Sequence, residues 1–479
     1  MILPLAKAAE VLGSKELTSD RAVKGYSIDS RRIESGQLFF AIRGPRYDGH
    51  EFVDAALERG AAGAVVDRVF WKQAPVSTRP LLIPVADTTG ALQALAHHVR
   101  REWDGCVIAV TGSMGKTTTK EMIATLLAIR FSVHRSQGNL NNHYGLPLTL
   151  LGLETAHDVA VVELAMSAPG EIARLAQIAE PDVGVVTNVG PVHLEFFDSV
   201  DSIAKAKREL IENLSTRHGK ATAVLNFDDA RVREFAKGFD GHVLTFGQGE
   251  GAAFRGTKVQ ARPGGGSRFH LLGPNVDGGF TVPLPGIHNV ENALAALATA
   301  STRGLDVGSL APSLASFKNL SQRSEIFTLP GDITILNDCY NSNPRAMERM
   351  LETLAGWASA KRRIVVAGEM LELGPTSPEW HRKIGRKVAE CGVDSVVAVQ
   401  GDARFIKEGA LEAGIRPNKV VFFPDAREAA EYCASLLQPG DVVLVKGSRG
   451  VNLERVTELL VRPISYPSGI SSEVPERMV

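Results

Sequence analysis

A glycine-rich stretch followed by a lysine and three threonines has the residue types that hold a nucleoside triphosphate. Residues 107–121 read VIAVTGSMGKTTTKE. Its two glycines allow backbone N–H groups to turn toward phosphate oxygens, and the positive end of a following helix faces the same place. Lys116 would reach the β- and γ-phosphates, and the Thr117 hydroxyl would bind Mg²⁺. We therefore predict that ATP is contacted by a phosphate loop that comprises Thr111, Gly112, Ser113, Met114, Gly115, Lys116 and Thr117.

This loop has the shorter form T-G-x-x-G-K-T. The general pattern has a further glycine at the position of Val110, which here still belongs to the preceding apolar strand. A glycine turn with an exposed Lys116 is the alternative interpretation. The strand, loop and helix in sequence, and the threonines that follow, favour nucleotide binding.

Other polar residues follow the apolar runs of the same region. Glu163 closes the run DVAVVELA, where many NTPases place an acidic Mg²⁺ ligand. His193 follows VGVVTNVG, and Lys207 lies in SIAKAKREL on a predicted helix. Asn139 and Asn142 belong to the amide-rich segment GNLNNHYG. Each of these alone has an ordinary structural interpretation, as an exposed carboxylate, a structural histidine, a solvated lysine or a turn.

A second polar segment, SIDSRR at residues 27–32, lies near the N-terminus. Arginine forks onto phosphate and serine donates to oxygen, so Ser30 and Arg31 suit a phosphate or a uracil edge. A solvated polar loop explains the segment equally well.

Composition excludes several classes of protein. The 53 Lys and Arg nearly balance the 54 Asp and Glu, so no global field favours nucleic acid or an anionic membrane. The four cysteines are far apart and lack metal-type spacing, which favours reduced thiols in the cytoplasm. The start, MILPLAKAAEVLGSKEL, resembles neither a signal peptide nor a membrane span. We expect a cytoplasmic monomer with small-molecule partners.

A chain of 479 residues is too long for one core, and the predicted fold class is α/β with three domains. Residues 1–104 form a small α/β unit, and residues 105–318 carry the phosphate loop on a buried parallel sheet. Residues 319–462 alternate strands and helices regularly, which predicts a doubly wound, Rossmann-like domain. The Pro- and Ser-rich residues 463–479 predict a disordered tail.

Apolar runs predict the strands of these three regions. The runs are 38–42, 63–66 and 81–85 in the first region, 107–110, 159–164, 183–189 and 222–226 in the second, and 333–337, 363–368, 395–399, 420–423 and 442–446 in the third. Between residues 241 and 285, Gly-rich alternating runs predict edge strands or hairpins, and a helix begins near Asn289.

Taken together, these segments resemble a known family. The motifs GSMGKTTTKEM, GNLNNHYGLPLTLL, VVELAMSAPGEI, TNVGPVHLEFFDS, IAKAKREL, GIHNVENALAALA, LNDCYNSNPRAM, GEMLELG and LVKGSRGVNLE resemble, in the same order, those of the Mur ligase family. The likeness extends from the first domain to about residue 460. It implies an ATP-dependent amide ligase.

The resemblance implies roles for individual residues of the central region. Lys116 and Thr117 would hold the ATP phosphates and one Mg²⁺, with Glu163 as a second ligand of that ion. His193 resembles a ligand of a second Mg²⁺. Lys207 matches the family lysine that reacts with CO₂, and its carbamate would supply anionic oxygen to the metal.

Further residues match nucleotide and substrate contacts of the family. His288, Asn289 and Asn292 lie where the family contacts adenine, Arg323 where it approaches the γ-phosphate, and Asp338 where it holds the ribose. Ser30 and Arg31 match the uridine-diphosphate end of the substrate site, and we predict substrate contacts for Asn139 and Asn142. With this resemblance, Lys116, Lys207, His193 and Arg323 are the predicted catalytic residues.

The reaction implied by the resemblance joins D-alanyl-D-alanine to UDP-N-acetylmuramoyl-tripeptide through an acyl phosphate. Another amide ligase of the same superfamily, either the ligase that adds the third amino acid or folylpolyglutamate synthetase, is the nearest alternative. A P-loop switch or kinase is the alternative from another class. The sequence departs from the family at Asp198, Arg208 and Ser324, which leaves the packing around Lys207 and Arg323 open.

Overall fold

The computed structural model describes residues 2–14, 19, 21–318 and 320–462. The predicted disordered tail, 463–479, lies outside the described residues. The chain divides into two compact units. The first unit comprises Met1–Leu320, Asn343–Gly356 and Glu372–Ser377, and the second comprises Ser321–Ser342, Trp357–Leu371 and Pro378 onward.

The N-terminal part of the first unit is a small α/β layer. Its strands and helices are β1 (Leu3–Pro4), α1 (Leu5–Val11), β2 (Ala22–Val23), β3 (Gly25–Ser27), β4 (Gln37–Phe40), α2 (Val53–Glu58), β5 (Gly63–Asp67), α3 (Arg68–Gln73), β6 (Leu82–Val85) and α4 (Thr88–Trp103). Strands β3 to β6 pair in parallel in chain order. Helix α4 begins where the Asp87 carboxylate accepts hydrogen bonds from the N–H groups of Thr89 and Gly90, and ends at Asp104 with a left-handed φ of 53°.

The central part of the first unit contains a nine-stranded sheet. Its strands and helices are β7 (Cys106–Thr111), α5 (Lys116–Leu127), β8 (Val133–Arg135), α6 (Gly145–Leu151), β9 (Val159–Glu163), α7 (Glu171–Ala179), β10 (Val183–Val186), α8 (Val200–Glu212), β11 (Thr222–Asn226), α9 (Ala230–Arg233), β12 (His242–Gly247), β13 (Phe254–Ala261), β14 (Ser267–Gly273), β15 (Val276–Val282), α10 (Ile287–Ser301) and α11 (Ala311–Ala315). The strand order is β15-β14-β13-β12-β11-β10-β7-β9-β8, and pairing is antiparallel at the β13-β14-β15 end.

The parallel strands at the centre of this sheet are buried on both faces. Every residue of β7 and β9 is buried, as the continuous apolar runs predict for strands covered on both faces. One hydrophobic core joins side chains of β4 and β5 to those of β7 and β9. The phosphate loop and Glu163 thus follow neighbouring strands of one rigid sheet.

The chain after residue 320 adds a six-stranded sheet. Its strands and helices are β16 (Glu325–Leu329), β17 (Ile333–Asn337), α12 (Pro344–Ala355), β18 (Arg362–Gly368), α13 (Ser377–Glu390), β19 (Ser395–Val399), α14 (Arg404–Glu412), β20 (Val420–Phe423), α15 (Ala426–Leu436), β21 (Asp441–Lys446) and α16 (Glu454–Val461). The order is β16-β17-β21-β18-β19-β20, parallel except for the antiparallel edge pair β16-β17. None of the described helices is both long and apolar enough to span a membrane.

Candidate active site

The phosphate loop connects the end of β7 to the first residue of α5. Gly115 precedes α5 with a left-handed φ of 78°, and Gly112 has a φ of 148°, so both have backbone conformations that favour glycine. The ammonium of Lys116 donates a hydrogen bond to the carbonyl of Gly112 at 2.9 Å. This contact folds the lysine back over the loop, so that its charge lies beside the N–H groups at the start of the helix.

Residues after β10 fix the backbone of the phosphate loop. Asn188 accepts a hydrogen bond from the N–H of Met114 at 3.0 Å and donates one to the Met114 carbonyl at 3.2 Å. The Thr187 hydroxyl donates to the same carbonyl at 2.5 Å. The Ser113 hydroxyl accepts from the N–H of Gly190 at 2.8 Å. The neighbouring parallel strand therefore holds the loop in one conformation, a role that the sequence analysis did not assign to Asn188.

A buried carboxylate lies against the first turn of α5. The Thr117 hydroxyl donates to one Glu163 oxygen at 2.7 Å, and Asn141 donates to the other at 2.8 Å. Mg²⁺ prefers a few hard oxygen ligands together with substrate phosphates, and this hydroxyl and carboxylate are such ligands. Among the described residues, no three or more His, Cys, Asp and Glu side chains cluster as a metal site.

Lys207 carries a buried amine of the site. It lies on α8 with 2% of its surface exposed. Burial, and repulsion from the nearby Lys116, hold the pKa of Lys207 well below its ordinary value. The following Arg208 turns elsewhere, because its guanidinium contacts Glu212 at 2.9 Å and the Lys237 carbonyl at 2.9 Å. Arg208 is thus engaged away from the Lys207 amine.

His193 lies on the loop that leaves β10, with a left-handed φ of 55°. Its Nδ1 is 2.5 Å from a carboxylate oxygen of Glu372. This hydrogen bond to His193 is the main cause that lowers the pKa of the Glu372 carboxyl. The N–H of Glu195 donates to the Glu372 carbonyl at 3.2 Å. Glu372 belongs to the motif GEMLELG, but sequence reasoning gave it no role beside His193.

A chain of side-chain amides connects α5 to the start of α10. The Thr119 hydroxyl donates to Asn292 at 3.2 Å, and Asn292 donates to Asn289 at 3.1 Å. Asn289 also lies 3.2 Å from the ring of His288. A Cβ atom at Gly115 would overlap the side-chain oxygen of Asn292. The three predicted adenine contacts therefore lie on α10, which a hydrogen bond from Thr119 joins to α5, the helix that carries Lys116.

In the second unit, two predicted nucleotide contacts lie on one loop and strand end. Asp338 follows β17 and accepts hydrogen bonds from the N–H of Ser324 at 2.8 Å and from the Lys446 ammonium at 2.6 Å. The guanidinium of Arg323 lies 3.9 Å from the centre of the Tyr340 ring. Lys446 and Tyr340 orient these residues and were not singled out from the sequence.

The chain is similar to known proteins along most of its length. Residues 22–100 match the model of the Mur ligase family catalytic domain, residues 110–300 the Mur ligase middle domain, and residues 322–449 the Mur ligase glutamate ligase domain. The chain is 34% identical over 445 residues to the UDP-N-acetylmuramoyl-tripeptide--D-alanyl-D-alanine ligase of Bacillus subtilis, covering 92% of this chain and 94% of that relative. The chain belongs to the Mur ligase family.

Solved structures agree with this Mur ligase in fold. A crystal structure of MurF from Acinetobacter baumannii has a TM-score of 0.86 and 30% identity, covering 96% of this chain and 99% of that one. MurF from Thermotoga maritima in complex with ADP has a TM-score of 0.80 and 31% identity, covering 91% and 97%. The predicted family, α/β fold class and ligase class are confirmed.

The predicted substrate contacts of this Mur ligase lie apart from the phosphate loop. Arg31 forks onto Asp29 with two hydrogen bonds of 2.9 Å, which lower the pKa of Asp29 to about 2, and Ser30 precedes it. The side chain of Asn142 accepts from two N–H groups at the start of α6, and Asn139 is exposed. The side-chain hydrogen bonds of Arg31 and Asn142 thus join each residue to a neighbour in its own loop.

Proposed function

We propose that this Mur ligase joins D-alanyl-D-alanine to UDP-N-acetylmuramoyl-tripeptide at the expense of ATP. The observation that carries the proposal is the match to the Bacillus subtilis ligase over 92% of this chain, which includes the N-terminal region. The Escherichia coli ligase of the same name, 31% identical over 95% of this chain, also supports it. We propose cytoplasmic action, with residues 1–104 binding the nucleotide-sugar peptide, 105–318 binding ATP and 319–462 forming the third domain.

The reaction needs a carboxylate to be activated before an amine can attack it. A terminal carboxylate oxygen of the tripeptide attacks the γ-phosphorus of ATP, and the bond to ADP breaks. The amine of D-alanyl-D-alanine then attacks the acyl carbon, an amide bond forms, phosphate leaves with the electron pair, and the amine proton passes to solvent. Negative charge concentrates on the transferring phosphoryl group. Lys116, held over the phosphate loop, is the cation that we propose stabilises it.

The first unit has groups that suit the nucleotide phosphates and the metal, and the second unit has two predicted nucleotide contacts. The Thermotoga maritima neighbour was solved with ADP, and ATP use here rests on that likeness and on the phosphate loop. Thr117 and Glu163 would hold one Mg²⁺, and His193 and Lys207 a second. When bound, Mg²⁺ neutralises charge on the phosphates. In the second unit we propose Asp338 as a ribose contact and Arg323 as a γ-phosphate contact.

Lys207 supports a further chemical step. Burial lowers the pKa of the Lys207 amine, which favours its neutral form, and only a neutral amine attacks CO₂. The nitrogen bonds to the carbon of CO₂ and releases one proton, which gives an anionic carbamate. We propose that this carbamate is the oxygen ligand that Lys207 contributes to a metal ion.

A direct assay tests the ligase proposal. Pure protein is incubated with ATP, Mg²⁺, UDP-N-acetylmuramoyl-tripeptide and D-alanyl-D-alanine, and the product is identified by mass spectrometry. We expect the pentapeptide product, with phosphate release only when both substrates are present. Rapid ATP hydrolysis that is unchanged by the two substrates would contradict the proposal and favour a P-loop switch.

A matched pair of lysines tests the carbamate. Lys207→Ala should lose ligation, and acetate or formate should restore part of it by supplying a carboxylate at the same place. Lys205→Ala is the control, since Lys205 lies on the same helix but is exposed. Labelling with ¹³CO₂ should give a carbamate signal in the wild type and in Lys205→Ala only. Full activity of Lys207→Ala without added acid would remove the carbamate from the mechanism.

A further inference from the structure

The second unit contains a cleft whose lining does not include Arg323, Asp338 or Lys446. It has a volume of about 430 Å³, in the range of small-molecule sites. One wall is a single face of α16, with residues at positions 454, 457, 458 and 461. The other wall is the edge hairpin, where Glu325 and Asn337 are cross-strand partners of β16 and β17. Both walls are regular structure, so the cleft has a defined shape.

Two buried polar atoms of this cleft lack partners. Asn337 and Thr457 are only 3% and 4% exposed, and both line the cleft. Among the described residues, the Asn337 side-chain oxygen and the Thr457 hydroxyl have no hydrogen-bond partner. The Asn337 amide nitrogen already donates to Glu325 at 3.0 Å, so the atom that is left over is an acceptor. Buried polar groups are rarely left unpaired, because each costs about 1–3 kcal/mol.

The charged side chains around these two atoms favour a positively charged ligand. Glu325, Glu454 and Glu458 line the cleft against one guanidinium, that of Arg462. Carboxylates and an amide oxygen only accept hydrogen bonds, so a ligand must bring several donors. Phe327 adds an apolar surface, which suits methylene groups and not a bare metal ion. The lining therefore matches a small aliphatic molecule with ammonium groups.

We propose that this cleft binds a small organic diammonium, with N–H donors to Asn337, Thr457 and the glutamates and a carbon chain against Phe327. Thr457 and Glu458 are the residues that test it. Thr457→Val keeps the shape and removes an unpaired hydroxyl, so it leaves the fold stable. Glu458 is exposed, and Glu458→Gln removes one charge without changing size.

The probe is putrescine, titrated into the full-length protein and followed by saturation-transfer NMR of its methylene protons. We expect saturable binding that weakens as salt is raised. Thr457→Val and Glu458→Gln should each raise the dissociation constant by about threefold to tenfold, the value of one hydrogen bond or ion pair. Glu431→Gln, on the exposed face of α15 in the same unit, is the matched control and should bind as the wild type does.

Three results would overturn the proposal. Absence of saturable transfer would mean that only water satisfies Asn337 and Thr457. Equal affinity in Thr457→Val, Glu458→Gln and the control would place the amine elsewhere on the surface. Displacement of putrescine from the wild type by stoichiometric Mg²⁺ alone would make the cleft a metal site.

Discussion

Replacing Gly115 with alanine is expected to damage the phosphate loop in a measurable way. Gly115 has a φ of 78°, which costs a residue with a side chain about 1–2 kcal/mol. Its new methyl group would also overlap the side-chain oxygen of Asn292, so that amide must move. Asn292 would then lose hydrogen bonds with Thr119 and Asn289, each worth about 1 kcal/mol. The expected loss of unfolding free energy is about 3–4 kcal/mol.

Gly170 offers a matched control for this substitution. It also precedes a helix, α7, with a left-handed φ of 84°, but a Cβ atom at Gly170 would meet no neighbouring side chain or loop within 4 Å. Gly170→Ala therefore carries the backbone cost alone, about 1–2 kcal/mol. The difference between the two variants measures the overlap with Asn292.

Urea unfolding followed by circular dichroism gives these free energies, and binding of a non-hydrolysable ATP analogue reports the loop itself. Gly115→Ala should lose both stability and nucleotide affinity, whereas Gly170→Ala should lose stability only. In an Asn292→Ala background, the cost of Gly115→Ala should fall to that of Gly170→Ala. Equal destabilisation by Gly115→Ala and Gly170→Ala in the wild-type background would refute the reasoning.

Three further predictions test other contacts. Lys116→Met should lower turnover by about a hundredfold or more with an unchanged circular dichroism spectrum, since it removes the cation of the phosphate loop. His218→Gln should destabilise the protein by at most about 1 kcal/mol near pH 6 and by less near pH 9. The hydrogen bond to Asp182 raises the pKa of His218. The stability that protonated His218 contributes is therefore present below about pH 6.5 and is lost as pH rises through the raised pKa. Arg362→Met should cost about 2–3 kcal/mol in urea unfolding, because the buried Asp441 carboxylate loses the two hydrogen bonds of 2.8 and 2.5 Å that Arg362 donates and keeps the one from the Gln438 N–H.

Each of these has a result that would contradict it. Near wild-type ligation by Lys116→Met would remove the phosphate-loop assignment. A larger destabilisation by His218→Gln near pH 9 than near pH 6 would contradict the expected pH dependence. Arg427→Met, at an exposed ion pair, is the control for Arg362→Met, and equal effects of the two would mean that burial of Asp441 is unimportant.

Local patterns were sufficient to predict much of the fold. Strands Thr222–Asn226 and Ile333–Asn337 have the predicted bounds, because each is a continuous apolar run in a sheet covered on both faces. The edge strands β8 and β16 were not predicted. None of their residues is buried, so neither is a continuous apolar run of the kind that predicts a buried strand.

Some residues of the candidate site could likewise be predicted from local sequence, and others could not. Gly115, Lys116 and Thr117 are readable because strand, loop and helix are contiguous in sequence. The partners that orient the site come from afar: Asn188 lies 74 residues from Met114, and Glu372 lies 179 residues from His193. Parallel pairing of β10 with β7 brings Asn188 to Met114, whereas His193 and Glu372 follow strands of two different sheets. No local pattern encodes either distance.

The division of the chain into interleaved units has a consequence for its biosynthesis. The chain leaves the first unit after Leu320, returns to it at Asn343 and returns again at Glu372. A ribosome makes domains from the N-terminus onward, and they generally fold as units as they emerge. Here Glu372, the partner of His193, is translated only after the first two segments of the second unit, 321–342 and 357–371, have been made. The nascent first unit therefore stays incomplete until its later segments, 343–356 and 372–377, have been translated. A fragment ending near residue 320 would lack both segments.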